Sequence, residues 1–203
     1  MGRQPLSAQG GVMGVASRAL TGIAAYAHSD DPLAAASNFI ALVVVGNQPF
    51  YPLYVRLFVG DDNWSSLLTF LSTPFFLAIP YVARRSSLAG RVMLPLIGAA
   101  NSFFCAKIFG QASGVELFLC PCAMIAGMTF RATDRKAMLG VIGILFVGFI
   151  ILHDRYGAPI HSFSEKEYAH FLSMNAVSVA ALIALIAMQY SSAYQKEKAA
   201  SER

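Results

Sequence analysis

Apolar residues along this 203-residue chain come in blocks, and the charged residues fall between them. No Asp, Glu, Lys or Arg occurs in 65–83, 92–106, 117–130, 137–153 or 168–195. An apolar run of about 20 residues, coiled as a helix, spans the hydrocarbon core of a bilayer. With a further run beginning at Asp31, the pattern predicts six transmembrane helices, near 31–59, 63–82, 88–109, 114–130, 136–153 and 165–190. The expected fold class is all-α, a polytopic membrane bundle. Residues 31–190 form its membrane domain, 1–30 a flexible or interfacial leader, and 191–203 a polar tail.

Local signals sharpen these elements. Asp31 is a good N-cap and Pro32 suits the first helical position. Pro49 and Pro52 in "GNQPFYP" donate no backbone bond, so the carbonyls of Val45 and Gln48 lose their partners and a kink or unwound turn is expected. Pro74, Pro80, Pro95 and Pro121 lie in later spans. Gly110 is placed to cap the third span. Ser113 with Glu116, and Ser164 with Glu167, have the S-x-x-E spacing of capping boxes. In the leader, "GVMGVASRALTGIAAYAHS" resembles a weak signal peptide, but Arg18 interrupts its apolar core. Val12, Val15, Ala19, Leu20 and Ile23 instead fall near one face of a short interfacial helix.

Composition agrees: the chain is 56% hydrophobic and 13% charged, against roughly a quarter charged in soluble domains. The net charge of +4 reflects topology rather than nucleic acid, because the basic residues flank the apolar runs. Eleven of them (Arg3, Arg18, Arg84, Arg85, Arg91, Arg131, Arg135, Lys136, Lys196, Lys198 and Arg203) fall on one side, and only Arg56, Lys107, Arg155 and Lys166 on the other. The positive-inside rule then places both termini in the cytoplasm. Cys105, Cys120 and Cys122 lie in apolar segments, so no disulfide framework is implied.

The predicted interior holds amides but no formal charge: Asn38, Asn47, Gln48, Asn101 and Asn175. Pumps and proton-coupled carriers ordinarily need an intramembrane charge. Amides in lipid instead join helix to helix, or line a polar cavity where the backbone is irregular. Asn47 and Gln48, beside the prolines, fit the second role. The outer rim gathers Arg56, Asp61, Asp62, Trp64, Lys107, Glu116, His153, His161 and His170. Lys107 and Glu116, in "NSFFCAKIFGQASGVELFLCPC", flank one turn at the same depth, where pairing is expected. The candidate ligand-binding residues are Lys107, Glu116, Arg56, His161, Asn47 and Gln48. Helix-edge histidines do not face each other within the bundle as haem requires. His153, His161 and His170 with Asp154 or Glu167 could supply zinc ligands, but loop histidines are more commonly solvated, so no cofactor or metal is expected. No G-x-S-x-G, H-E-x-x-H or phosphate-cradling loop is present.

Three stretches, "LSTPFFLAIPYVARRSSLAGR", "ANSFFCAKIFGQASGVELFLCPC" and "HDRYGAPIHSFSEKEY", resemble the six-helix N-terminal membrane region of bacterial membrane-bound adenylate/guanylate cyclases and sensor histidine kinases. The resemblance covers about residues 36–190. It implies a sensing function and makes the last helix the output element, continued by "QYSSAYQKEKAASER". Thirteen residues follow Tyr190, so no catalytic residue of those enzymes carries over. The expected function is a non-catalytic sensor or receptor-like module in the bacterial inner membrane; the alternative is a small-solute carrier or channel. Expected partners are the lipid bilayer, a signalling protein in the membrane or cytoplasm, a small-molecule ligand and a second copy of the chain.

Overall fold

The computed structural model describes residues 21–202, and among them all regular structure is helical. The leader positions Val12, Val15, Ala19 and Leu20 lie outside the described residues. Residues 21–27 are helical, and Ile23 is exposed. The bundle proper begins with α1 (Pro32–Asn47), whose N-cap Asp31 accepts from the backbone N–H groups of Leu33 and Ala34. At the prolines α1 gives way to a 3-10 turn, Gln48–Phe50, and then to α2 (Tyr51–Phe58). The tighter turn lets the Tyr51 N–H reach the Gln48 carbonyl that Pro52 leaves without a partner.

The second span opens with nine residues of 3-10 helix, Trp64–Ser72, before α3 (Thr73–Arg85). Such a length is unusual, since 3-10 runs seldom exceed three or four residues. Its cause is a hydroxyl at every third position. Ser66, Thr69 and Ser72 each donate to the carbonyl three residues earlier, at 2.5, 2.7 and 2.9 Å. In a helix of three residues per turn these side chains share one edge. That edge is buried and is gripped by Gln48, which donates to Thr69 O and Ser72 Oγ and accepts from Thr73 Oγ1.

The central element is α4 (Ser87–Phe109), which contacts α1, α3, α5 (Leu119–Met128) and α6 (Arg135–Leu152). Gly110 and Gly114 turn the chain after it, with φ of +81° and +75°. Glycine is favoured at 114 by the positive φ; a Cβ there would also lie 2.5 Å from Leu172 Cδ1, which would have to shift. Pro121 sits in the first turn of α5, where its missing N–H breaks no helical bond. The last element, α7 (Glu165–Ser201), is one unbroken helix of 37 residues, opened by the expected Ser164–Glu167 capping box. It continues through the polar segment after Tyr190.

Among the described residues five stretches are long and apolar enough to cross a membrane: Pro32–Phe58, Trp64–Arg85, Ser87–Phe109, Ala132–Leu152 and Glu165–Ser201. The remaining expected span, Val115–Met128, is shorter. The core divides by depth. Leu33, Ile40, Ile79, Leu94 and Ile186 pack near the arginine-rich end; Val55, Phe109, Val115 and Phe171 pack near the other. A side cluster of Ala99, Cys122, Ala126 and Leu145 seats α6. Only 11% of the apolar window of α6 is buried, against 44% for α4, so α6 is a peripheral helix with an outward apolar face.

Candidate functional site

The end of the bundle away from the arginine-rich end is tied together from within. Lys107, in the last turn of α4, donates from Nζ to the carbonyls of Tyr156 and Ala158 at 2.9 and 2.7 Å. The backbone of the same strip accepts from Ile160 and His161. The 154–164 loop is thus sewn onto the end of α4. Glu116 accepts from Tyr156 Oη at 2.7 Å, with His153 Nδ1 at 2.9 Å. Burial, then the hydrogen bond to Glu116 and its charge, push the Tyr156 phenol well above its ordinary range.

These contacts correct two expectations. Lys107 and Glu116 do not pair, because each finds its partners in the third outer loop, which sequence distance had separated from both. Nor do Ser113 and Glu116 form a capping box: Ser113 Oγ donates back to Gly110 O, and the turn after Gly114 has no side-chain cap. The other rim candidates stand apart. Arg56 makes an exposed pair with Asp61 at 3.3 Å. His161 is largely covered, edge-on to Trp64 and Phe163, with Asp62 at 3.8 Å.

A cavity of about 370 Å³ lies between the two halves of the core. It is walled mainly by apolar side chains of α1, α4, α5 and α7, and among the described residues no Asp, Glu, Lys, Arg or His lines it. The five interior amides behave differently here. Gln48 is saturated by the 3-10 edge. Asn175 donates to Ser113 O and accepts from Tyr51 Oη, joining α7 to the outer turn and α2. Asn38 donates to Ala27 O. The Asn38 Oδ1 is buried without a partner among the described residues. Gln48, Asn47 and Asn101 line the cavity. Asn47 makes no hydrogen bond among the described residues, and Asn101 receives only the Cys105 thiol at 3.9 Å.

At the arginine-rich end lies a polar cluster that sequence reasoning missed. Asp31 accepts from Arg131 at 2.9 and 3.2 Å and from Ser87 Oγ. Arg131 also holds Glu197 of α7. Arg91, 3% exposed, donates to Thr129 O at 2.7 Å; Asp134 Oδ2 is 3.0 Å away, at an angle that makes an ion pair without a hydrogen bond. Just beneath, Ser37 Oγ meets Tyr190 Oη at 2.9 Å and Thr129 Oγ1 at 3.1 Å, while Tyr194 Oη donates to Met128 O. Tyr190, Tyr194 and Glu197 lie on one face of α7 by their spacing. Burial disfavours the Asp31 charge. The hydrogen bonds from Arg131 and Ser87, the Arg131 charge and the Leu33 N–H outweigh it and hold the carboxyl at about 2, from 3.8. The bond to Asp31 raises Arg131 above its ordinary value, burial opposes this, and Glu197 adds to it. The readable signal was the Tyr-x-x-x-Tyr-x-x-Glu spacing; the arginines had been counted only as topology markers.

Apolar helices, an uncharged cavity and one long helix running past the apolar layer define a multi-pass helical membrane domain. The chain belongs to the MASE7 family, whose family model matches residues 26–202. MASE domains are membrane-associated sensor domains, sensory rather than catalytic. No curated protein and no solved structure matches the chain.

Proposed function

We propose that this domain is the input element of a signalling system in the bacterial inner membrane. Six segments cross the bilayer, Val115–Met128 being the short one, and the arginine-rich end with both termini faces the cytoplasm. The domain senses a small ligand within the bundle and passes the result through α7 to a signalling protein. It carries out no chemistry of its own.

One observation carries this reading. A single rigid helix, α7, lines the cavity with Ser178, Ala181, Leu182 and Leu185 and is held by Glu197 at the arginine-rich end. Leu185 and Glu197 are 12 residues apart, roughly 18 Å along the axis. A change of packing at the cavity therefore reaches the clamp without crossing a loop. Lys107 and Glu116 serve the sensor by holding the 154–164 loop against α4, His161 within that loop adds a backbone bond to Ile108, and Arg56 pairs with Asp61 on the same side.

The test places spin labels at residues 136 and 196 of the whole chain in nanodiscs and compares native protein with Ala181→Phe, which adds bulk to the cavity wall. The expected result is a displaced or broadened distance distribution. An unchanged distribution, with Glu197→Gln moving the same pair, refutes the relay. Labelling of single cysteines at 198 and 158 by a membrane-impermeant maleimide in intact and permeabilised cells checks the sidedness.

A further inference from the structure

We infer that the intramembrane cavity is the receptor's ligand site and that its ligand is an uncharged amphiphile drawn from the bilayer, with a chain-like apolar body and a head that hydrogen-bonds. The inference deepens the sensor reading and rests on it for its consequence.

The volume of about 370 Å³ falls in the range of ligand-holding pockets, roughly 300–1,000 Å³. Depth excludes a casual role for the amides. Asn101 is eight residues from Phe109 at the outer end of α4, roughly 12 Å along the helix. Asn47 ends α1 at the proline break, before the whole of α2. At that depth an amide without a partner is costly, and natural bundles satisfy such groups. Here Gln48 and Asn175 are satisfied by protein, and Asn38, away from the cavity, donates to Ala27 O while its buried Oδ1 has no partner among the described residues. The side chains of Asn47 and Asn101, with no hydroxyl, amide or carbonyl partner among the described residues, border the cavity together. Two such amides on one wall are what a site for a polar head requires.

The rest of the wall specifies the body. Val43, Val44, Phe76, Leu94, Ile125 and Leu185 offer apolar surface. With no ionisable Asp, Glu, Lys, Arg or His on the lining, an ionised head would have no counter-charge. The head is therefore neutral: a hydroxyl, carbonyl or amide. Asn47 on its wall is exposed at the proline break inside the first apolar span, so an entrance there would admit a bilayer component. Part of the wall belongs to α7, so occupancy bears directly on the output helix.

The experiment photolabels the whole chain in phosphatidylcholine nanodiscs with a diazirine-bearing hexadecanol and, in parallel, with the matching hexadecyl sulfonate. Peptide mapping reads the sites. The alcohol is expected to label α1 and α4 residues of the cavity saturably, in competition with plain hexadecanol, and the sulfonate is not. Asn47→Leu with Asn101→Leu, and separately Ala181→Phe, are expected to lower that labelling about tenfold. Background labelling of the exposed α6 residues Ile144, Phe146 and Ile150 serves as the internal standard for folding and lipid contact. The inference is overturned if cavity residues are labelled no more than α6, if the sulfonate labels them equally, or if neither variant changes the pattern. Failure here with the α7 displacement intact removes the ligand class and leaves the relay; failure of both removes the sensor reading.

Discussion

Replacing Asp31 with Asn removes one negative charge from the clamp while leaving the N-cap of α1 in place, because Asn and Asp cap helices about equally well. The perturbation therefore isolates the ionic part of the contact. Its size follows from the proton affinity of the carboxyl, which falls from 3.8 to about 2 in the folded bundle. At about 1.36 kcal/mol per pH unit this is about 2 kcal/mol of stabilisation. The side chain is only 14% exposed, so little is lost to solvent screening. The sign is definite. A depressed folded value means the contribution is fully present above pH 3.8 and disappears as pH falls from there toward 2. The assay is unfolding in mixed micelles at increasing SDS, at pH 6 and at several points down to pH 2. Asp31→Asn should be less stable than native protein by about 2 kcal/mol at pH 6, and the gap should close as the native protein acidifies. A gap below about 0.5 kcal/mol at pH 6, or one that persists unchanged at pH 2, would refute the reasoning. Because Arg131 bridges Asp31 to Glu197, hydrogen exchange in 190–201 should rise in the same variant.

Other substitutions test separate links. Gln48→Leu leaves the Thr73 hydroxyl and the 3-10 edge without their partner inside the membrane, and should cost about 1–3 kcal/mol in the same unfolding assay; a neutral result would mean the seam holds itself. Gly114→Ala should cost about 1–3 kcal/mol from the positive φ and the collision with Leu172, whereas Gly140→Ala, with open space at its Cβ, should be tolerated. Lys107→Met removes both loop staples but keeps the apolar stem, so exchange and proteolytic nicking in 154–164 should increase while global stability moves by less than about 1 kcal/mol. Unaltered loop protection would show the Ile160 and His161 backbone bonds to suffice.

The rim residues show most clearly where reading along the chain runs out. Lys107 and Glu116 looked like partners because they are neighbours in sequence and share a depth. Both instead bind the loop near Tyr156, some 40 residues and more further on, and no local pattern announces that contact. The 3-10 segment was closer to legible, since hydroxyls at 66, 69 and 72 repeat with its own period; their meaning needed a buried amide from another span. The five interior amides were visible as a set, yet nothing along the chain distinguishes Gln48 and Asn175, whose side chains are tied to other segments, from Asn47 and Asn101, which line the cavity with their amides free of amide, hydroxyl or carbonyl partners among the described residues. Asp31 was recognised as a cap and not as the hub of a clamp, because its arginine partners come from two other connections.

Local rules were enough for everything that depends on a single segment. Apolar blocks of bilayer length made this a helical membrane protein, Asp31 and Ser164 marked helix starts, the prolines broke the first span, and basic residues gathered at one end. These outcomes follow from the solvation of one helix in lipid and from hydrogen bonds within a few residues. The cavity, the clamp on α7 and the stapled outer loop were decided only by tertiary structure, because each depends on which polar groups from distant segments arrive within about 3 Å of one another. In a lipid-facing bundle the apolar residues pack with little discrimination, and the few polar groups satisfied, or left unsatisfied, between helices turn a set of spans into one particular fold.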